Sequence, residues 1–370
     1  MAITSIGTAS TELARKIVWH EKLFRDILMQ GFFAPKLGMS YVNALAQGVP
    51  YQPSPNDVLY TVEDLNGLPA KDKGGKGDEV RFTILTRLAA SDYPGVTTGQ
   101  TLEGKEVQIG HYNYYQRLSQ YRQAFSAGTP IDWARAAFPI PQASRDACSN
   151  WAWEKIDNLC FDALDTTTYS SIFYKTSDTG PTVLRTATAA TASGALTAAD
   201  SLLTPQLIDF VATNLKTGGA RSRYPVRPIV IDGKGYFFWL VHPDAMFDIS
   251  NDSTMQQAHR EAMERGKTNP LFTGASLIWK GNVIFEHERC ATSTTGGSGG
   301  DVAWCTNYVL GAQALCFGWG QRPQVIEYTR DAGNELYHAI NMICTVSKPN
   351  FNSVDYGSAL VYTSRTNTNV

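Results

Sequence analysis

Hydrophobic and polar positions alternate most regularly between Gly77 and Ile109, GDEVRFTILTRLAASDYPGVTTGQTLEGKEVQI. Val80, Phe82 and Ile84 fall on one face of an extended chain there, and Glu79, Arg81 and Thr83 on the other. A second arm repeats the pattern, with Val107 and Ile109 against Glu106 and Gln108. The pattern predicts a long β-hairpin with one apolar face, and nothing nearby in sequence is suited to cover it. An isolated two-stranded ribbon is marginal in water. The face therefore lies on the chain's own core or on a neighbouring copy.

Helical spacing marks other segments. Leu13, Ile17, Phe24, Ile27 and Leu28 predict an amphipathic N-terminal helix over Ser10 to Gln30, ended by Gly31 and Pro35. After Pro139 and Pro141 the spacing predicts a helix from Gln142 to Leu164, about 35 Å long at roughly 1.5 Å per residue. Cys148, Ala152, Ile156, Leu159, Cys160 and Ala163 form its apolar stripe, while Trp151 and Phe161 sit on the opposite side. Those two aromatics need cover from a local loop or from another subunit. Further helices are predicted at Pro205 to Thr217 and Thr254 to Arg265, the second capped by Ser253 with Gln256 and stopped by Gly266. His259, Arg260 and Arg265 suit the negative end of that helix.

Strands are predicted at His111 to Phe125, Arg227 to Asp232, Tyr236 to Val241, Ala303 to Gly318, Gln324 to Arg330 and Leu336 to Val346. Thr186 to Ala199 reads as a low-complexity loop or weak strand, Ala291 to Asp301 as a flexible loop, and the chain from Asn350 as a polar tail. No internal repeat is visible. The fold class is α+β with antiparallel sheets, one long helix and a projecting hairpin.

Composition narrows the function classes. Charged residues make up 18% of the chain, below the roughly 25% of typical soluble domains. A polar but weakly charged surface suits burial against copies of itself, because interface cores are depleted in charge. The 32 basic and 34 acidic residues give a net charge of −2 with no basic run, which excludes a sequence-independent DNA-gripping surface. A nearly neutral wall around DNA remains compatible. The six cysteines, Cys148, Cys160, Cys290, Cys305, Cys316 and Cys344, lack paired short spacings and read as reduced, buried thiols. Without a secretory signal or a membrane-length apolar run, the expectation is a soluble protein made in a cytoplasm.

No catalytic or metal motif gains support. Gly296 to Gly300 matches G-x-S-x-G with Ser298 in the nucleophile place, but that motif needs an apolar strand before it and a helix after it. CATSTT and DVAW stand there instead, so a glycine-serine loop is the better reading and a serine hydrolase using Ser298 the rival one. GGKGDE near Gly74 lacks the spacing and hydroxyl of a phosphate loop. His287 and Cys290 are two ligands at most, too few to close a zinc site. Asp248, Asn251 and Asp252 lack the glycine and glutamate of a calcium loop, and Glu286 with Glu288 reads as a solvated pair. No cofactor, metal or catalytic residue is assigned, and the chain is expected not to be an enzyme.

An ordered set of segments carries a resemblance. GDEVRF leads, followed by TLEG at Thr101 to Gly104, WAWEKID at Trp151 to Asp157 and VHPDAMFDI at Val241 to Ile249. RGKTNPLFTGA at Arg265 to Ala275 then leads into VIFEHE at Val283 to Glu288. In this order, over about Gly77 to Pro349, the chain resembles the major capsid proteins of N-four-like tailed bacteriophages. It departs from them at Lys105, in the Ala/Thr-rich insertion around Thr186 and near Trp279.

The resemblance implies a Hong Kong 97-type capsid fold. Its parts would be an N-terminal arm (residues 1–50), an extended loop with flanking strands (51–129), a peripheral domain on a long spine helix (130–200), an axial domain (201–322), and peripheral return strands with the C-terminal tail (323–370). It further implies self-assembly as hexamers and pentamers into an icosahedral head enclosing double-stranded DNA, without sequence-specific binding or a membrane. Portal and scaffolding proteins, with decoration proteins in some heads, would be the partners. No cleaved scaffolding segment is evident, so a separate scaffolding protein is expected. The expected contact residues between subunits are Val80, Phe82, Ile84, Tyr93, Leu102, Val107, Ile109, Trp151 and Phe161. The same fold would also serve an encapsulin-like compartment.

Overall fold

The computed structural model describes residues 27, 30–37, 56–63, 79–85, 96, 101, 103, 106, 111–168, 170–176, 183–186, 188–217, 226–231, 233–261, 277–351 and 353–366. In chain order the first part holds α1 (Phe33–Leu37), β1 (Leu59–Glu63), β2 (Glu79–Leu85), β3 (His111–Arg117), β4 (Ser119–Ser126), α2 (Pro130–Arg135) and α3 (Ile140–Asp165). The middle holds β5 (Ile172–Lys175), β6 (Val183–Thr186), α4 (Ala189–Gly194), α5 (Pro205–Thr217), β7 (Ile229–Ile231), β8 (Lys234–Val241), α6 (Pro243–Asn251) and α7 (Ser253–Glu261). Then come β9 (Leu277–Trp279), β10 (Asn282–Glu286), β11 (Thr292–Gly296), β12 (Val302–Leu310), β13 (Leu315–Arg330), β14 (Glu335–Ser347), β15 (Asn350–Phe351), β16 (Val354–Asp355) and β17 (Ser358–Ser364).

One sheet has the order β1-β13-β14-β4, with β1 parallel to β13 and the other pairs antiparallel. Its longest ladder runs from Cys316 opposite Ser347 to Arg330 opposite Glu335. The turn at 331–333 is left-handed at Asp331, Ala332 and Gly333. Strand alternation buries His338, Ile340, Met342 and Cys344 of β14 beneath α3, whose Cys148, Ala152, Ile156 and Cys160 form the facing stripe. Four of the six residues of the predicted stripe are thus buried, Leu159 and Ala163 are half-buried, and the helix extends slightly beyond its predicted ends.

The second sheet has nine strands in the order β6-β5-β17-β12-β8-β10-β9, with β11 joined to β12 and β7 to β8. Both faces are covered. Trp239, Val241, Val309 and Val361 pack on α5 and α6 through Leu207, Ile208, Val211 and Ile249. Leu240, Tyr308, Leu310 and Leu360 join the core shared with α3. Strands covered on both faces read as continuous apolar runs, which is why FFWLV of β8 is legible.

The two sheets meet where β12 passes into β13. Gly311 N–H donates to Gly357 O at 2.7 Å, Ala312 N–H to Arg227 O at 2.8 Å, Gln313 N–H to Asp57 O at 2.6 Å and Leu315 N–H to Val58 O at 3.1 Å. Four distant segments are stitched at one point.

Several expectations change. The polar tail contains β17, every residue of which is buried. The loop at Ala291 to Asp301 contains β11, and Thr186 to Ala199 contains α4. Pro35 lies inside α1, in its first turn, where a missing N–H costs little. The N-terminal helix at Ser10 to Gln30 lies outside the described residues apart from Ile27 and Gln30, both helical. Asp252, not Ser253, caps α7, its Oδ1 accepting from Thr254 N–H at 2.9 Å and Met255 N–H at 3.2 Å. The end predicted at Arg265 and Gly266 lies outside the described residues, and α6 had no sequence prediction. The expected boundary at residue 322 falls inside β13, while β5, β6 and β17, expected in peripheral units, belong to the nine-stranded sheet.

Candidate assembly surfaces

The root of the hairpin is a ladder of β2 on β3, from Glu79 opposite Arg117 to Leu85 opposite His111. The predicted second arm around Val107 and Ile109 lies outside the described residues, and the observed pairing begins at His111. Val80 and Phe82 are 3% and 2% exposed, packed with Cys316 against Tyr60, Val62, Tyr114 and Leu118. Their cover therefore comes from β1 and β13 of the same chain. Gln116 Nε2 donates to Val346 O at 2.8 Å and fastens the root to β14.

Phe161 is also covered internally. Its ring meets Phe33 at 5.1 Å, His287 at 4.7 Å and Tyr308 at 6.0 Å. Asp157, one helical turn earlier, holds the N-terminal segment in place: its carboxylate accepts from Phe32 N–H at 2.8 Å and Phe33 N–H at 3.3 Å. Burial pushes the Asp157 carboxyl upward, and those two backbone hydrogen bonds oppose the shift. Trp151 is half-buried against the main core. Val80, Phe82 and Phe161 are thereby corrected from subunit contacts to internal packing. Ile84 lies in β2, and Tyr93, Leu102, Val107 and Ile109 lie outside the described residues.

Two polar groups that sequence reading missed lock the ends of α3. At its start, Arg145 Nε donates to His338 Nε2 at 3.0 Å and Arg145 Nη2 to Glu327 Oε2 at 2.8 Å. Ser144 Oγ lies 2.6 Å from His338 Nδ1 and donates to Pro141 O at 2.9 Å. At its end, the buried Lys348 ammonium donates to Leu164 O at 3.3 Å, Thr166 O and Ser170 Oγ at 2.7 Å, and pairs with Asp355 at 3.0 Å. A cation there satisfies the helix's free carbonyls and suits its negative end. Tyr308 donates to Asp165 beside it. The residues of each lock come from distant strands, so no local motif announces them.

The hairpin root covers one end of the sheet surface opposite α3, around Cys316 and Gly318, and the other end is open. Alternation along β13 and β14 places Ile326, Tyr328, Tyr337 and Ala339 there, and β4 adds the exposed Arg122 and Ala124. Ile326 is 52% exposed. The Tyr328 and Tyr337 rings stack at 5.3 Å, with Arg330 over both.

Among the described residues the candidate chemistry forms no constellation. Ser298 lies exposed in a turn joining β11 to β12, so a strand follows it where a nucleophile elbow needs a helix. The Ser144 and His338 contact is buried, and the serine proton is committed to Pro141 O. His287 is wedged among rings, Asp252 caps a helix, Asp248 accepts from Thr366 N–H at 3.3 Å, and Glu286 and Glu288 are exposed. All six cysteines are free and buried, and burial pushes Cys148 up to about 11 and Cys305 and Cys344 up to about 12. Among the described residues no three His, Cys, Asp or Glu side chains gather as metal ligands, and no helix is long and apolar enough to cross a membrane.

The arrangement of this chain matches those of solved phage capsids. The capsid of Ralstonia phage GP4 matches with a TM-score of 0.67 and 22% identity, covering 86% of this chain and 90% of that one. The cyanophage Pam1 capsid matches with a TM-score of 0.66 and 19% identity, covering 85% and 90%. The fold is that of a Hong Kong 97-type phage capsid subunit.

Residues 8–365 match the family model described as phage capsid protein, and the chain belongs to that family. The major capsid protein of Pseudomonas phage KPP25 is 26% identical over 346 residues, covering 83% of this chain and 88% of that protein. As a member of that family the chain is a phage capsid protein.

Proposed function

We propose that the chain assembles as hexamers and pentamers into an icosahedral head around double-stranded DNA, and that the hairpin of one subunit lies on the open sheet face of the next. The observation that carries this reading is the contrast between the two sides of the β1-β13-β14-β4 sheet. One side is sealed by α3, whereas the other is covered by the hairpin root only at the Cys316 end and presents Ile326 and the stacked tyrosines at the far end. Repeated interfaces of mixed apolar and hydrogen-bonded character hold such a shell together. The near-neutral charge suits a wall that encloses DNA without gripping its phosphates. Portal, scaffolding and decoration proteins are the partners this role calls for, with assembly in the host cytoplasm and no catalytic step.

Deleting Ala90 to Gly99 tests the hairpin's part. The expected result is a soluble, folded subunit that no longer closes shells, read by electron microscopy and light scattering. Normal shells from the deletion would contradict it.

A further inference from the structure

The segment between the hairpin-bearing strands and the long helix, PIDWARAAFP at 130–139, contains no buried residue. It is nonetheless tightly built. Gly128 turns at φ +73°, and Ala127 and Gly128 bond to both backbone groups of Leu336 at 2.7 and 3.3 Å. Thr129 N–H and Oγ1 donate to Asp132 Oδ2 at 3.0 and 2.7 Å, and the Trp133 indole donates to Ala127 O. A helix of six residues with no apolar face on a core does not hold itself together, because its nucleus is costly. Here polar caps supply the order, and the apolar side chains are left over.

Those side chains are large. Ile131 is 56% and Phe138 60% exposed, two of the eight strongly exposed large hydrophobics among the described residues, and Ala134 and Ala137 beside them are exposed too. Scattered single apolar residues need no explanation, but a rigid segment carrying several without cover marks a contact surface. Its charges are sparse and opposed: Asp132 is engaged in the cap, and Arg135 follows it.

We infer that the 130–139 segment is a contact between subunits, with Ile131 and Phe138 seated on a second copy of this chain. The inference rests on the capsid reading, since a shell is built from many copies of one subunit and each copy meets others at fixed positions. It adds a site distinct from the hairpin. Force on the segment passes straight into α3, which starts at Ile140.

The test places the photo-crosslinking residue p-benzoylphenylalanine at Phe138 in the full chain. Irradiated particles are expected to yield a covalent dimer of the chain on a denaturing gel, absent from unassembled subunits. No dimer, or an adduct to a different protein, would overturn the proposal. A paired Ile131→Ser, Phe138→Ser variant is expected to keep the wild-type melting temperature while losing particles; wild-type particle yield would overturn it. If the unaltered chain formed no particle with its neighbouring genes, the capsid reading would fall, and this proposal with it.

Discussion

Protonating His338 would break the contact that holds the start of the long helix to its sheet. Arg145 Nε–H points at Nε2, so that nitrogen is bare and the ring proton sits on Nδ1 beside Ser144. The charged groups facing the ring are Arg145 from α3 and Glu327 from β13, and its partner on β4 is the apolar Phe125. Burial, then Arg145, holds the imidazole below its ordinary 6.5, with Glu327 opposing. His242 and His287 are lowered as well, each chiefly by burial. Below that value the unfolded chain binds more protons than the folded one, so stability falls as pH drops through 6.5 toward the folded values. The raised carboxyls Asp157, Asp165 and Asp248 act in the opposite sense, above their ordinary 3.8. We expect the melting temperature to fall between pH 7.5 and pH 5.5, and His338→Gln to flatten part of that slope while costing about 1–3 kcal/mol from stranded polar partners. An unchanged slope in the variant would assign the pH dependence elsewhere. None of this was legible in the sequence, where His338 sits between Tyr337 and Ala339 with no motif around it.

At the scale of elements, what could be read depended on whether a segment's partners lie close to it in sequence. The long helix, α5 and β8 announce themselves by periodicity or by an apolar run. By contrast SALVYTS of β17 reads as a polar tail, yet its hydroxyls are satisfied inside the sheet: Asn307 Nδ2 donates to Thr363 Oγ1 at 2.8 Å and Ser364 Oγ to Ala198 O at 3.2 Å. The hairpin's apolar face looked uncovered because β13 with Cys316 is far along the chain from Val80 and Phe82, and the nearby β1, with Tyr60 and Val62, is not legible as a strand in the sequence. The same distance hides the joint between the sheets. A Cβ at Gly357 would lie 2.5 Å from both Ala314 Cα and Gln313 O, backbone atoms unable to swing aside. Gly357→Ala is therefore expected to destabilise the subunit by about 1–3 kcal/mol or more, since overpacking forces backbone shifts. An unaltered thermal melt would show that the joint yields.

For the whole molecule, the sequence carried the fold class and the resemblance to phage capsid proteins, while the division into two sheets differs from the boundaries expected along the chain. Sheet membership follows long-range pairing: β17, late in the chain, lies inside the nine-stranded sheet between β5 and β12. Both sheets share one core through α3 and the joint at 311–315. Among the described residues, the exposed apolar surfaces include the open end of the sheet face and the 130–139 segment. The most direct test of this account is electron microscopy of the purified chain, expressed alone and with its neighbouring genes. Closed shells, or sheets and tubes of ring-shaped capsomers, are the predicted result; a monodisperse monomer or dimer under every condition would contradict it.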